Sequence, residues 1–269
     1  MSVRVEVSDP ADGVALLRLD APPRNEGSWV LLEQAEEALA SVRYAGARVV
    51  VVGSAVPEFF LSHGSLSDIE ATFGGGTPSG DGLAWYRVLR ELDTGPMISI
   101  AAVEGQAWGG GAELCWACDL RVAATSASFA QPEVALGITP GAGGTVRLAR
   151  QFGEAACLRL VLDGRPVGAQ EAHRLGLVHR LVADGAAVEV AVRWARWLSG
   201  LPNGATAAAK RAVTGARDLP LAEALKYEGG IYQERAARPE ALKLVRAAIE
   251  RYDGGATPTE ALQLAEEQP

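Results

Sequence analysis

Three consecutive glycines, Gly109-Gly110-Gly111, stand directly before a predicted helix in the stretch Ala102-Val103-Glu104-Gly105-Gln106-Ala107-Trp108-Gly109-Gly110-Gly111-Ala112-Glu113-Leu114. The first backbone N–H groups of a helix have no internal partner and point outward. Without Cβ atoms, a ligand can come close to them. The helix dipole adds favourable potential, so such a place suits an oxyanion. The alternative is a tight loop packed on neighbouring backbone.

Glu113 weighs toward chemistry. It sits in an apolar run beside Leu114, Cys115 and Trp116, where a carboxylate is costly unless paired or neutralised. A second carboxylate, Glu133, follows in Phe129-Ala130-Gln131-Pro132-Glu133-Val134, again among apolar residues. Two carboxylates in such settings can acquire raised and separated pKa values, as acid–base catalysis requires. The alternative is two structural glutamates, one capping a backbone amide and one in an ion pair. Other motifs carry less. Cys115-Trp116-Ala117-Cys118 has C-x-x-C spacing but no second pair, and reads as packing on a buried helix. Gly141-Ala142-Gly143-Gly144-Thr145 lacks the later acidic residue of a nucleotide fingerprint, and reads as a helix start. His173 and His179 read as structural.

These residues need a scaffold, and the chain supplies strands alternating with helices. Val3 to Val7 and Val14 to Leu19 have strand character, with Asp12-Gly13 a turn signal between them. Trp29 to Val42 has helical spacing, with Ser28 as N-cap. Val49 to Val52 is a buried strand of the parallel-sheet type. Ala71 to Gly82 reads as a loop rich in glycine, followed by a helix from Leu83 to Leu92. Met97 to Val103 and Leu120 to Ala124 continue the strands, and Val178 to Val182 is the last. Beyond about residue 185 only helices are predicted: Ala186–Leu198, Asn203–Ala216, Leu221–Ala236 and Pro239–Tyr252. The tail from Gly254 to Pro269 is polar and acidic, and fraying is expected there. The pattern is an α/β core with an α-helical C-terminal part.

With 269 residues the chain can bury a sizeable core, which excludes wholesale disorder. Lys+Arg 25 against Asp+Glu 33 leaves −8, which disfavours a nucleic-acid partner. The longest uncharged stretch, between Glu133 and Arg147, is broken by Pro140 and glycines, so no membrane span is expected. No signal peptide is expected at the N-terminus. Three cysteines, an odd and low count, suit a reducing cytoplasm.

Together these segments resemble the enoyl-CoA hydratase/isomerase family, the crotonase superfamily. The match runs through Ile100-Ala101-Ala102-Val103-Glu104-Gly105, Gly109-Gly110-Gly111-Ala112-Glu113-Leu114, Cys118-Asp119 and Phe129-Ala130-Gln131-Pro132-Glu133. It continues through Leu136-Gly137-Ile138, Pro140-Gly141-Ala142-Gly143-Gly144-Thr145, Arg147-Leu148, Ala169-Gln170-Glu171-Ala172 and Gly176-Leu177-Val178. The resemblance covers residues 3 to 252. It implies an α/β fold, a spiral of repeated ββα units over residues 1–195, and a helical region over 196–269 that builds trimers or hexamers. It implies a hydratase that adds water reversibly to an α,β-unsaturated acyl thioester, without a cofactor beyond the coenzyme A of the substrate. Glu113 would activate water and Glu133 would exchange the proton at Cα. Gly110 and, with Gly64 set on the family glycine, Ser65 would hold the thioester oxygen. Trp85, Tyr86, Trp108 and Gly141 would line the acyl pocket, with core packing the alternative for the aromatics. A double-bond isomerase or C–C bond hydrolase is the nearest alternative activity. RNA binding, seen in some members of the superfamily, is disfavoured by the charge.

The departures from the family pattern are also informative. Leu66 replaces the usual aspartate after the donor. No lysine follows in Ser67-Asp68-Ile69-Glu70, and Asn25-Glu26-Gly27 replaces an Asn-Ala-Leu pattern. Each opens the way to a carrier-protein-bound or specialised acyl thioester in place of acyl-CoA. His63 adjoins the implied donor, as an accessory acid, base or hydrogen-bond donor, or as a loop residue that fixes backbone geometry. The loop Gly74–Gly80 would suit a mobile lid or a disordered connection.

Overall fold

The computed structural model describes residues 4–264 of the chain. It divides into two compact units, Met1–Leu201 and Pro202–Pro269. In the first unit, strands β1 (Arg4–Ala11) and β2 (Val14–Asp20) form an antiparallel hairpin. The tip is Asp12-Gly13, with φ of 55° and 74°. Two successive left-handed residues match the twist of tight hairpins, which is why Asp-Gly signalled the turn. Helix α1 (Trp29–Tyr44) follows, and the Ser28 side chain caps it by accepting from Leu31 N. Its predicted inner face, Leu32, Ala35, Leu39 and Val42, is buried.

From there a ββα unit repeats. The first strand of each pair joins one sheet and the second joins another. The pairs are β3 (Val49–Ser54) with β4 (Phe59–Leu61), β5 (Ile98–Val103) with β6 (Gln106–Trp108), and β7 (Leu120–Ala124) with β8 (Ser128–Ala130). The helices after them are α2 (Leu66–Gly74) with α3 (Leu83–Thr94), α4 (Gly110–Ala117), and, after a 3₁₀ turn at Glu133–Leu136, α5 (Gly144–Phe152). Then come α6 (Glu154–Asp163), β9 (Val167–Gly168), α7 (Ala169–Arg174), β10 (Arg180–Val182) and α8 (Ala187–Gly200). The larger sheet has the order β1-β2-β3-β5-β7-β10, parallel from β2 onward; the smaller is β4-β6-β8-β9. This is the ββα spiral expected of the family.

The larger sheet is apolar on both faces, so its strands read as continuous apolar runs. One face, with Val49, Val51, Ile98, Ile100 and Val122, receives the alanines at every fourth position of α8: Ala187, Ala191 and Ala195. The other, with Leu17, Val50, Val52, Ala101 and Val103, packs in the main core with α1 and the smaller sheet. Asn25, fully buried, ties the chain entering α1 to this core. Its Oδ1 accepts from Ala21 N at 2.9 Å, and its Nδ2 donates to the Phe60 carbonyl at 2.6 Å and to Ser54 Oγ at 3.0 Å. A buried polar side chain satisfied on both ends fixes position where an unsatisfied one would cost stability.

Two local expectations are corrected. The loop does not begin at Ala71, because α2 runs to Gly74 and ends on Gly75 in the left-handed conformation. The remaining loop is tied down rather than free. Ser79 donates to Asp68 from its N–H at 2.6 Å and its hydroxyl at 2.8 Å, and Asp81 N donates to Glu33 at 2.9 Å. Burial opposes ionisation of Asp68, but hydrogen bonds from Ser79, Trp29 and Ser65 outweigh it and hold the carboxyl below its usual range.

The second unit is helical, as expected: α9 (Ala205–Ala216), α10 (Leu221–Ala236), α11 (Pro239–Asp253) and a short α12 (Pro258–Ala261). In the predicted tail, α12 carries a capping box between Thr257 and Glu260, so residues 257–261 are not frayed; residues 265–269 lie outside the described residues. Among the described residues no helix is long and apolar enough to cross a membrane.

Candidate active site

Each of the three glycines answers a different constraint. Gly109 has φ 48° and ψ −122°, a region L side chains rarely adopt, and turns the chain from β6 into α4. A Cβ on Gly111 would lie 1.8 Å from the Leu61 carbonyl oxygen, so β4 and α4 can touch only because that Cβ is missing. A Cβ on Gly110 would lie 2.7 Å from the Trp85 ring and 3.1 Å from the backbone nitrogen of Gly64. The Gly110 N–H is in the first turn of α4 and has no partner among the described residues.

The second donor differs from the expected one. Ser65 N–H is already committed to the Gly27 carbonyl at 3.0 Å, and the Ser65 hydroxyl caps α2 by accepting from Asp68 N at 3.2 Å. Gly64 N–H is left without a partner among the described residues, beside Gly110. The family pattern therefore fits one residue earlier. In that register Gly64 would stand at the donor place and Ser65 at that of the aspartate, serine and aspartate both being helix-capping residue types. Gly27 fixes this loop from both sides: its N–H donates to the His63 carbonyl at 2.7 Å and its carbonyl receives Ser65 N. Ser28 N–H donates to the Glu26 carbonyl at 2.9 Å. A chain of peptides, Ser28 to Glu26–Gly27 to His63–Gly64, thus ends on the open Gly64 N–H. Such chains polarise their last donor.

Glu113, only 4% exposed, lies in the first turn of α4. Its Oε1 accepts from Ala142 N at 2.7 Å and Gly144 N at 2.8 Å, in the glycine-rich segment before α5. One oxygen is thus a backbone cap, and the other accepts no hydrogen bond among the described residues. Burial raises its pKa, against the pull of those two N–H groups and of Arg147. Arg147 also sets the clamp itself, with Nη1 on the Ala142 carbonyl at 2.8 Å and Nε on Asp93 at 3.1 Å.

Glu133 opens the 3₁₀ turn after Pro132, and its Oε1 lies 3.2 Å from where a Gly109 Cβ would be. With the Gln131 amide nitrogen turned toward Glu133, it meets both carboxylate oxygens at 3.1 and 3.2 Å while its oxygen accepts from Trp116 Nε1 at 3.1 Å. Burial pushes the Glu133 pKa up to about 7, its own backbone N–H opposing and the Glu113 charge adding to the rise.

The remaining residues fall at different places. Trp85 is buried and walls the donor pair, lying against Gly27, Gly64 and Gly110. Trp108 directs its indole N–H to Ser128 Oγ on β8 at 3.0 Å. Gly141 is exposed, and its carbonyl lies 3.4 Å from the Tyr86 hydroxyl. His63 is half-buried, its Cβ 3.7 Å from the same Gly109 Cβ position. His173 Nδ1 pairs with the Val178 carbonyl and His179 Nδ1 with Arg121 N, both structural roles. Cys115 and Cys118 are buried free thiols, and no metal-ligand cluster is found among the described residues. Gly64, Gly27 and Gln131 were missed as site residues. The glycines lie in segments that depart from the family pattern, and only strand pairing in space brings them together.

A family model described as enoyl-CoA hydratase/isomerase matches residues 9–252. The chain is 44% identical over 138 residues to a probable enoyl-CoA hydratase of Rhizobium meliloti (strain 1021), covering 51% of this chain and 53% of that relative. It thus spans about half the length of that relative. It is 32% identical over 251 residues to the probable mitochondrial enoyl-CoA hydratase 2 of Arabidopsis thaliana, covering 91% of this chain and 82% of that one. The crystal structure of an enoyl-CoA hydratase from Bacillus anthracis superposes with a TM-score of 0.82 at 29% identity, over 92% of this chain and 96% of the other.

Proposed function

This chain belongs to the enoyl-CoA hydratase/isomerase family, and we propose that it adds water reversibly to an α,β-unsaturated acyl thioester, with an acyl-CoA as the substrate to test first. The observation that carries the reading is two carboxylates at the glycine turn, Glu133 against Gly109 and Glu113 in the first turn of α4, with two unpartnered N–H groups, Gly64 and Gly110, at the same turn. The thioester oxygen would accept from both N–H groups, which stabilises the enolate more than the ground-state carbonyl. Water between the carboxyls attacks Cβ as the free oxygen of Glu113 takes its proton. Glu133, protonated, delivers a proton to Cα. Loss of enoyl absorbance with short- and medium-chain trans-2-enoyl-CoAs tests this; a folded protein that consumes none of them removes the hydratase reading.

The pH dependence follows from Glu133. Hydration needs its protonated form, so kcat/KM for hydration should fall as pH rises through about 7. After hydration the proton taken from water sits on Glu113, so dehydration starts from the same singly protonated pair. Hydration takes up no net proton, so kcat/KM for dehydration should fall along the same limb, and rate–pH profiles are expected to run in parallel in the two directions. A flat profile through about pH 7 would take Glu133 out of the proton transfer.

Apolar residues left open on the helical unit support a homotrimer or hexamer. Leu242, Val245, Ile249 and Tyr252 of α11 are each more than two-fifths exposed in the single chain. Exposed apolar faces of this kind mark association sites. Light scattering on the purified protein is expected to read three or six copies; a monomer would remove this reading.

A further inference from the structure

Hydration by Glu113 and Glu133 leaves one acid–base group of the site idle. His63 Nδ1 lies 2.8 Å from the Gly64 carbonyl oxygen. A carbonyl oxygen only accepts, so Nδ1 carries the proton, and the neutral ring presents an unprotonated Nε2. His179 is held in the opposite tautomer, because its Nδ1 accepts a backbone N–H from Arg121 at 3.1 Å. Of the two, only His63 stands at the donor pair. It immediately precedes Gly64, and its Cβ and the Glu133 carboxylate flank the same point over Gly109, at 3.7 and 3.2 Å. A base of fixed tautomer next to an oxyanion hole is the arrangement for attack on an acyl carbon.

We propose that His63 gives this site a second activity, the hydrolysis of acyl thioesters. The inference rests on the reading of Gly64 and Gly110 as the oxyanion hole. His63 Nε2 removes a proton from water while the water oxygen bonds to the thioester carbon. The carbonyl π electrons move to oxygen, which accepts from the Gly64 and Gly110 N–H groups. On collapse the C–S bond breaks, the sulfur leaves with its electron pair, and the proton on Nε2 goes to the thiolate. The products are the carboxylic acid and the free thiol, with no other reactant. Saturated thioesters, which offer no electrophilic Cβ, are the substrates that expose this reaction.

The test measures free thiol released from butyryl-CoA by the full chain, in parallel with loss of trans-2-butenoyl-CoA absorbance. His63→Asn keeps an N–H donor for the Gly64 carbonyl but has no base; His63→Ala removes both. Each is expected to lower thiol release about 100-fold, the scale of a lost general base, and enoyl loss less than tenfold. Thermal unfolding confirms that both variants are folded. Absence of thiol release by a protein that hydrates the enoyl thioester overturns the proposal alone. Thiol release undiminished in both variants also overturns it. An equal fall of both reactions would make His63 a residue that merely holds the donor loop. Failure with both substrates would remove the oxyanion-hole reading, and this proposal with it.

Discussion

Glu113→Gln and Glu133→Gln are each expected to lower turnover of enoyl thioesters by about 10²- to 10⁴-fold, the range for loss of a positioned acid or base. The structure makes glutamine a clean probe at position 113. Its amide oxygen can still accept from Ala142 N and Gly144 N, so the link between α4 and the start of α5 is kept. What disappears is the capacity to take a proton from water. At 133, glutamine keeps the volume beside Gly109 and removes the proton that Cα would receive. Burial opposes the charged form of each carboxyl, Glu113 buried and Glu133 half-buried, so both variants should unfold no earlier than the parent in thermal melts. Near-normal kcat in either variant would strike that residue from the mechanism.

Gly110→Ala should lower kcat about 10²- to 10³-fold, comparable to losing one oxyanion donor. The N–H itself survives the substitution. The added methyl would lie 3.1 Å from the Gly64 nitrogen and 2.7 Å from the Trp85 ring, so the ring or the Gly64 loop must shift and the two N–H groups lose their common aim. Gly64→Ala is the comparison, because a Cβ there meets only Trp85, at 3.7 Å, an ordinary contact. Activity within a fewfold of the parent is expected for it. Steady-state kinetics on the two variants separates an occupied oxyanion hole from a general intolerance of side chains in the loop. Equal activity of both would mean that Gly110 and Gly64 do not share an oxygen.

Gly111 warns against treating the three glycines alike. A methyl there would meet the Leu61 carbonyl at 1.8 Å, and only backbone displacement could relieve it. In sequence the three are one motif with one explanation. In space one turns the chain, one lets Trp85 and the Gly64 nitrogen come close, and one lets a strand touch a helix.

Elements that bury a long apolar face were legible. Strands β3 and β5, helix α1 and the four C-terminal helices appear near their expected bounds, because each repeats its pattern over enough residues to stand out. The smaller sheet was not, because its strands are two or three residues long and show no period. Helix α2 was not expected, because the glycines that follow it read as a loop from Ala71 onward. Its start at Ser65, capping onto Asp68 three residues on, carries a helix signal.

The amino-acid sequence by itself determined the family and, through that resemblance, the ββα spiral, and it marked the two glutamates. These depend on local pattern and on motifs contiguous along the chain. Only the tertiary structure decided which N–H groups remain open. A backbone donor is available when no carbonyl reaches it, and the carbonyl that claims Ser65 and spares Gly64 belongs to Gly27, brought alongside by an isolated parallel bridge. The tautomer of His63 was settled in the same way, by the fold placing an acceptor on Nδ1.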